Sequence, residues 1–96
     1  MWYIYVVECN DRSLYCGITK CLDARVKKHN SGKGAKYTRS RRPVALVCYT
    51  SVSESRSDAL KAEYAFKQLS RDRKLFYVSK GLDLFLEKNS EVHEYN

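Results

Sequence analysis

The chain has 96 residues, which is enough for one domain with one modest hydrophobic core. Hydrophobic residues make up 44% of it, with eight tyrosines, three phenylalanines and one tryptophan, and this composition excludes disorder over most of the length. Lysine and arginine together number 18 against 11 acidic residues, and the net charge of +7 favours a polyanionic partner.

The first two predicted elements are β-strands that form a hairpin. Residues 2–9 are aromatic and β-branched, which is typical of a strand. A polar turn follows at residues 10–13, and residues 14–19 are predicted to form the second strand. Pairing across this turn should bring Tyr5 within one or two positions of Tyr15 on the facing strand.

A helix, a basic loop and a third strand are predicted next. The helix covers about residues 22–30 and ends at a Ser-Gly pair, as helices commonly do. The loop at residues 32–42 is rich in glycine and in basic residues. A proline closes this loop, and residues 44–50 are predicted to form the third strand.

Two further helices complete the predicted body of the protein. Ser57 is predicted to cap a helix that runs to about Leu69. Ser70 is predicted to cap a helix over residues 71–80, which Gly81 closes. The order β-β-α-β-α-α predicts an α+β fold, in which helices flank a small three-stranded antiparallel sheet.

The charge is distributed unevenly between this body and the C-terminus. Residues 82–96 carry four acidic residues and one lysine, so that residues 1–81 carry 17 basic and seven acidic residues, a net charge of +10. We therefore expect one basic domain at residues 1–81 and an acidic, partly disordered C-terminal extension at residues 82–96, which adds half a helix. A body this basic attracts nucleic acid before any specific contact forms.

The expected location is the cytoplasm, without a membrane anchor. The N-terminus lacks the basic segment and the cleavage site of a signal peptide, and no apolar run is long enough to span a bilayer. The four cysteines show no Cys-x-x-Cys spacing, so they are expected to be reduced and mostly buried thiols instead of zinc ligands or disulfides.

Two local patterns have either a structural or a catalytic interpretation. Arg25 and His29 lie four residues apart on the first helix and share one face, which is either a solvated surface or part of a site. Glu63 lies on a mostly apolar stripe of the next helix, where a carboxylate should be shielded from water. It could pair with Lys67, four residues further on, or serve a functional role.

The hairpin carries a resemblance that favours the catalytic interpretation. The tripeptide YIY at residues 3–5 and the tripeptide YCG at residues 15–17 resemble the two tripeptides that name the GIY-YIG nuclease superfamily. Arg25 and His29 match the Arg-x-x-x-His pattern of its first helix, and Glu63 matches its single acidic residue on the next helix. The stretch at residues 28–38 looks like the small stand-alone, single-domain subfamily of uncharacterised proteins in particular.

This resemblance implies a metal-dependent endonuclease that hydrolyses DNA phosphodiester bonds. Tyr5 would help to deprotonate the attacking water, and Tyr15 would orient water or phosphate. Arg25 would stabilise the negative charge of the transition state, and His29 would assist proton transfer or lower the pKa of the phenol. Glu63 would be the one protein ligand of a Mg²⁺ or Mn²⁺ ion. Arg25 and His29 are expected to lower the pKa of Tyr5 from its usual value of about 10.

The basic loop is the candidate nucleic-acid contact. Its cations would give salt-sensitive affinity with little sequence preference, and its tyrosine could stack on an exposed base. DNA is favoured over RNA only through the resemblance, and a protein partner could supply specificity. Three further tyrosines, Tyr3, Tyr49 and Tyr64, are expected to be packing residues. The candidate contacts in the loop are Lys33, Lys36, Tyr37, Arg39, Arg41 and Arg42.

Three classes of function follow from these patterns. The first is a Mg-dependent endonuclease that is structure-specific or nonspecific. The second is a non-catalytic nucleic-acid-binding module that keeps the basic loop. The third is a protein-interaction module on the same scaffold.

Overall fold

The structure is a computed structural model that describes the backbone of residues 1–94 and the side chains of residues 1–89. The predicted order β-β-α-β-α-α is confirmed, with a one-turn helix added in the basic loop and a further helix at the end. The elements are β1 (Trp2–Glu8), β2 (Leu14–Thr19), α1 (Leu22–Asn30), α2 (Lys36–Arg39), β3 (Ala45–Ser53), α3 (Arg56–Lys67), α4 (Arg71–Lys80) and α5 (Leu82–Glu94).

The sheet is antiparallel, as predicted, and its strand order is β2-β1-β3. The central strand pairs Tyr5 with Gly17 of β2 on one side and with Tyr49 of β3 on the other. Side chains alternate between the two faces of a strand, while directly opposite residues share a face. Tyr3, Tyr5 and Tyr49 therefore lie on one face of the sheet, together with Tyr15 of β2.

The opposite face of the sheet carries the larger part of the core. Ile4 and Val6 of β1 are fully buried there and pack with Phe66 of α3. Leu82 and Phe85 of α5 belong to the same cluster. Burying each such side chain stabilises the fold by roughly 1.5–3 kcal/mol. Helices α3, α4 and α5 are thus held against one side of the sheet.

The tyrosine-bearing face is covered in part by α1. Tyr5 and Val7 of β1 are buried in a second cluster, against which Leu22 and Val26 of α1 pack. These two residues lie four apart, so they point to the same side of the helix. The sheet and α1 consequently enclose the phenol of Tyr5 between them.

The main differences from the predicted elements are at the start of α3, at the end of β3 and in the basic loop. Ser55, and not Ser57, caps α3, because its backbone is extended and its side chain accepts a hydrogen bond from the backbone N–H of Asp58. Strand β3 continues to Ser53 because pairing with β1 extends to Trp2. Helix α2 was not predicted, since a single turn carries no periodic pattern in the sequence.

The last helix is longer than the half helix expected there. Helix α5 spans Leu82–Glu94, and the side chains of Leu82 and Phe85 anchor its first turn in the core. Residues 95–96, on which the expectation of partial disorder also bears, lie outside the described residues. The division of the chain at residue 81 stays a prediction.

Two expected absences can be compared with the described part of the chain. None of its helices is long and apolar enough to cross a membrane. All four cysteines are free: Cys9 and Cys16 are buried, Cys48 is half-buried and Cys21 is exposed.

Candidate active site

A buried hydrogen bond between Tyr5 and His29 forms the centre of the candidate site. The phenol oxygen of Tyr5 lies 2.7 Å from Nε2 of His29. Only 2% of Tyr5 and 1% of His29 is exposed to solvent. Two residues that are 24 positions apart in the sequence are thus joined where α1 crosses the sheet.

Thr38 of α2 holds the other nitrogen of the same imidazole. Its hydroxyl lies 2.9 Å from Nδ1 of His29 and donates to the carbonyl of Ala35 at 2.9 Å. A hydroxyl has one proton, so its oxygen accepts from Nδ1–H, and Nε2 is left to accept from Tyr5. The amide of Ala35 also lies 3.4 Å from Nδ1 and would favour the other tautomer, in which Nδ1 is an acceptor. This contact is longer than the 2.9 Å contact with Thr38, so it is the weaker of the two. We assign the tautomer on that basis.

Two glycines make room for this pair of side chains. A Cβ atom at Gly17 would lie 2.5 Å from the hydroxyl oxygen of Tyr5, well inside contact distance. A Cβ atom at Gly34 would collide with the ring and backbone of His29. Gly17 is the last residue of the second tripeptide, so the motif glycine has a direct steric role at the phenol.

The pKa of Tyr5 moves in the direction opposite to the one expected. Burial raises the pKa of this phenol, and the neighbouring Tyr15 raises it further. The charge of Arg25 acts to lower it, but this effect is smaller than that of burial. Burial also lowers the pKa of His29 from its usual value of 6.5, with further contributions from Arg25 and Lys28. His29 is therefore a neutral acceptor beside a protonated phenol. Desolvation and the nearby cations both favour neutral His29, whereas at Tyr5 desolvation outweighs the charge of Arg25.

Tyr15 lies at the open side of the buried pair. Its ring contacts His29 edge-on, with the ring centroids 5.4 Å apart, and it is half-buried. Tyr37 of α2 stacks on Tyr15 at 5.9 Å, and the guanidinium of Arg41 lies 4.0 Å from the centre of the Tyr37 ring. Burial, followed by the charge of Glu63, raises the pKa of Tyr15.

Arg25 and Glu63 place opposite charges around the two phenols. The charge of Arg25 lowers the pKa of both Tyr5 and Tyr15, and the charge of Glu63 raises both. The side chain of Glu63 is mostly shielded from solvent, since only 20% of it is exposed. Its carboxylate lies 3.7 Å from Nζ of Lys67. The same Nζ lies 5.2 Å from the ring centroid of Tyr15. Tyr5, Tyr15 and His29 are thus in direct contact, and the charges of Arg25 and Glu63 are close enough to shift the pKa of both phenols.

The candidate nucleic-acid contacts divide into two groups. Arg41 forms an ion pair with Asp11 at 3.0 Å, and Arg42 donates to the backbone carbonyls of Arg39 and Asn30, so both guanidinium groups support the loop itself. The ring of Tyr37 already has Tyr15 and Arg41 as stacking neighbours. A nucleobase could stack on Tyr37 only by displacing one of these two side chains. Lys33, Lys36 and Arg39 are exposed on the same loop.

Sequence reasoning missed three residues of the site. Thr38 orients His29, Gly34 makes room for it, and Lys67 lies between Glu63 and Tyr15. Thr38 and Gly34 gave only one signal, their place in the stretch at residues 28–38 that carries the resemblance. Lys67 was considered only as a helical partner of Glu63.

Comparison with known families places these residues in a defined domain. Residues 1–75 match the family model described as "GIY-YIG catalytic domain". The match covers the hairpin, α1, the basic loop, β3 and α3, and therefore every candidate catalytic residue.

Individual relatives are small bacterial proteins. A UPF0213 protein of Bacillus velezensis is 54% identical over 76 residues, which are 79% of this chain and 76% of the relative. A UPF0213 protein of Staphylococcus saprophyticus is 52% identical over 79 residues, which are 82% of this chain and 95% of the relative.

Solved structures of such proteins have a similar fold. The solution NMR structure of a UPF0213 protein from Bacillus halodurans aligns with a TM-score of 0.52 at 49% identity, covering 82% of this chain and 84% of that one. A second solution NMR structure, of a protein from E. faecalis, aligns with a TM-score of 0.54 at 45% identity, covering 81% of this chain and 82% of that one.

Proposed function

This chain belongs to the GIY-YIG family, a family of nuclease-type domains, and we propose that it is a metal-dependent endonuclease that hydrolyses DNA phosphodiester bonds. The predicted resemblance to the small stand-alone members is confirmed, because the relatives are UPF0213 proteins of similar length. We further propose that the enzyme acts in the cytoplasm and either recognises a DNA structure or cuts without specificity.

The observation that carries this proposal is the buried contact between Tyr5 and His29. A hydroxyl hydrogen bond at 2.7 Å to an imidazole, with Thr38 behind it, is more organised than packing of an aromatic residue requires. The arrangement supports proton transfer, because the lone pair of Nε2 faces the phenol proton. Arg25 near this contact adds a positive charge that would stabilise a phosphodiester transition state, and Glu63 adds a carboxylate that would hold a cation.

The protein groups would divide the reaction as follows. His29 would receive the phenol proton of Tyr5 as the phenol oxygen takes a proton from the attacking water. The high pKa of Tyr5 makes its oxygen a strong base once that proton has moved. Tyr15 would orient the water or the phosphate, and Arg25 would stabilise the charge that develops on the phosphate oxygens.

The donor set fits a weakly held, hydrated cation. Among the described residues, no group of three or more His, Cys, Asp or Glu side chains is arranged to hold a metal ion. Glu63 alone would serve as protein ligand, and a single carboxylate suits Mg²⁺ or Mn²⁺, which retain several waters. Lys67, 3.7 Å from this carboxylate, would have to yield its place. When bound, the cation would neutralise phosphate charge and activate water.

The exposed cations of the basic loop would hold the DNA backbone. Lys33, Lys36 and Arg39 are the residues best placed to contact phosphates, because each is exposed. Arg41 and Arg42 would act mainly by shaping the loop that presents them, and Tyr37 by covering Tyr15. Such contacts position a strand without reading its sequence, so a protein partner could add specificity.

A second candidate function is supported by the burial of the same residues. Tyr5 and His29 have almost no exposed surface, and the carboxylate of Glu63 forms an ion pair with Lys67. A module with these features could bind nucleic acid through its basic loop without cutting it. A protein-interaction role on the same scaffold is the third alternative.

Cleavage of a panel of labelled DNAs would separate these functions. Single strands, duplexes, flaps and branched junctions would be incubated with wild type, Arg25→Ala and Glu63→Ala, in Mg²⁺, Mn²⁺ or EDTA. Metal-dependent products that disappear in both variants would support the nuclease. Binding without cleavage under any metal would favour the binding module, and no affinity for DNA at low salt would leave the protein-interaction role.

A further inference from the structure

Two tyrosines beside the candidate active site remain outside the proposed chemistry. Tyr49 and Tyr64 were expected to pack, and the structure contradicts this for both, since they are 54% and 70% exposed. Tyr64 lies on α3, whereas Tyr49 lies on β3 directly opposite Tyr5. An exposed aromatic ring one strand away from a proposed catalytic residue calls for a different explanation from packing.

Tyr49 is held in place by Tyr3. The two ring centroids are 6.3 Å apart and the ring planes meet at 68°, an edge-to-face contact. Tyr3 is half-buried, so its ring supports the more exposed ring of Tyr49 from the side. We call these two residues the aromatic platform. A braced ring loses less side-chain freedom when a ligand stacks on it, which favours binding.

The platform shares its sheet face with the candidate active site. Tyr3 and Tyr5 are alternate residues of β1, and Tyr49 pairs with Tyr5 across the strands. The ring of Tyr5 leans the other way, over Gly17 of β2. A strand that passes from the site onto the platform would therefore travel about two strand spacings, roughly 10 Å, which is one or two nucleotides of a single strand.

The charged side chains nearest the platform do not line its rings directly. Lys20 lies 5.5 Å and Arg56 lies 5.7 Å from the ring centroid of Trp2, which precedes Tyr3 at the start of β1 and faces the opposite side of the sheet. Asp83 lines a shallow cavity together with Tyr49 on the side of α5. This acidic neighbour leaves the side of Tyr3 as the less negative approach for a nucleic-acid backbone. The positive charge that single-strand binding needs beside exposed aromatic rings comes from the body of the protein, where residues 1–81 carry a net charge of +10.

We infer that Tyr3 and Tyr49 form a stacking site for an unpaired nucleobase next to the scissile phosphate, so that the substrate is a DNA with a single-stranded segment at the cut. This inference rests on the proposed nuclease function, because it names the substrate class of that same site. Along its length, a blunt duplex presents no free base face to the platform. Flaps, overhangs and single strands do.

The binding test uses three probes of about ten nucleotides in EDTA, read by fluorescence anisotropy. They are an oligothymidine, an abasic oligomer with the same phosphates, and a blunt duplex. We expect Tyr49→Leu to weaken oligothymidine binding by about five- to hundredfold and to leave the other two probes unchanged. Tyr49→Trp, which keeps an aromatic ring, should bind like wild type. Tyr64→Leu is the matched control, since it removes from α3 a tyrosine that is more exposed than Tyr49, at 70% against 54%.

Two further comparisons keep the test valid even if Tyr49→Leu folds poorly or the protein cuts no DNA. Wild type itself should prefer oligothymidine to the abasic oligomer by a similar factor. Equal binding of these two probes, or unchanged oligothymidine binding by Tyr49→Leu, overturns the platform even if Mg²⁺-dependent cleavage is observed. Loss of dimerisation in Tyr49→Leu, with no change in DNA affinity, overturns it in favour of self-association. If Tyr49-dependent base binding is found but wild type cuts nothing, the platform stands and the nuclease proposal fails.

Discussion

The hydroxyl oxygen of Tyr5 lies 2.7 Å from Nε2 of His29, and this contact joins the central strand to α1 where only 2% of Tyr5 and 1% of His29 is exposed. The absence of a side chain at Gly17 leaves room for the phenol, and the hydroxyl of Thr38 holds the far side of the imidazole. Because both partners are buried, neither can exchange the other for water. The proposed chemistry and part of the stability of the domain therefore depend on the same few atoms.

The neutral state of His29 predicts a pH-dependent stability. Its pKa in the folded protein lies below the usual value of 6.5, so the unfolded chain binds a proton that the folded protein excludes. The free energy of unfolding should therefore fall as the pH is lowered from 7.5 through 6.5 towards the folded-state pKa, with a slope of at most about 1.4 kcal/mol per pH unit. Urea unfolding at half-unit pH steps measures this slope.

A variant of each histidine separates the sources of this effect. His29→Gln should be less stable than wild type at pH 7.5 but should lose the dependence on pH between 7.5 and 5.5. His93→Gln, which alters the only other histidine of the sequence, measures how much of the wild-type slope comes from that second histidine. A flat wild-type profile would show that His29 is not shielded.

Gly17→Ala should push the phenol of Tyr5 away from His29. The new methyl group would lie 2.5 Å from the hydroxyl oxygen, and overpacking of this kind costs about 1–3 kcal/mol of stability. Part of the cost should disappear in the Tyr5→Phe background, since the oxygen is then absent. The coupling, measured by urea unfolding of the four proteins, should be at least about 0.5 kcal/mol. Equal destabilisation in both backgrounds would contradict the contact.

Glu63→Gln should separate metal-dependent cleavage from DNA binding. The amide keeps the shape of the side chain but loses the charge that would hold Mg²⁺, so cleavage should fall by at least about a hundredfold. Affinity for DNA in EDTA should be equal or higher, because one negative charge has been removed. Glu87→Gln changes an exposed acid of α5 and should leave both measurements unaltered. Full cleavage by Glu63→Gln would remove this residue from the site.

Lys36→Gln should reduce the salt dependence of DNA binding. Each cation that neutralises a phosphate adds about 0.7–0.9 to the slope of log affinity against log salt concentration. Removing one such contact should lower the slope by that amount for single strands and duplexes alike. Lys88→Gln, an equal change of charge on α5, should not alter it. Identical slopes for the two variants would mean that only net charge matters.

The sequence was sufficient for what depends on local pairing. The short turn at residues 10–13 fixes the register of the hairpin, so the approach of Tyr15 to Tyr5 could be derived by counting residues. The separation of four residues between Arg25 and His29 likewise indicated that they share one face of α1. Hydrophobic patterning and capping residues were enough for the order of the elements.

What depends on long-range packing was not predictable. The return of Thr38 onto His29 requires the path of the basic loop, which no periodic pattern encodes. The pKa of Tyr5 was expected to fall because the nearby cations are visible in the sequence, but the burial that raises it is not. The exposure of Tyr49 was missed for a similar reason, since a strand residue gives no sign of whether a helix covers it.

The central claim is that the hydroxyl of Tyr5 takes part in cutting DNA, and Tyr5→Phe tests it by removing one oxygen atom. Single-turnover cleavage of a labelled flap in Mg²⁺ would be measured for wild type, for Tyr5→Phe and for Tyr64→Phe, which loses the hydroxyl of an exposed tyrosine on α3. The account predicts that Tyr5→Phe binds the flap as tightly as wild type but cuts it about 10²–10⁴ times more slowly, whereas Tyr64→Phe is unaffected. Cleavage by Tyr5→Phe at the wild-type rate would contradict it.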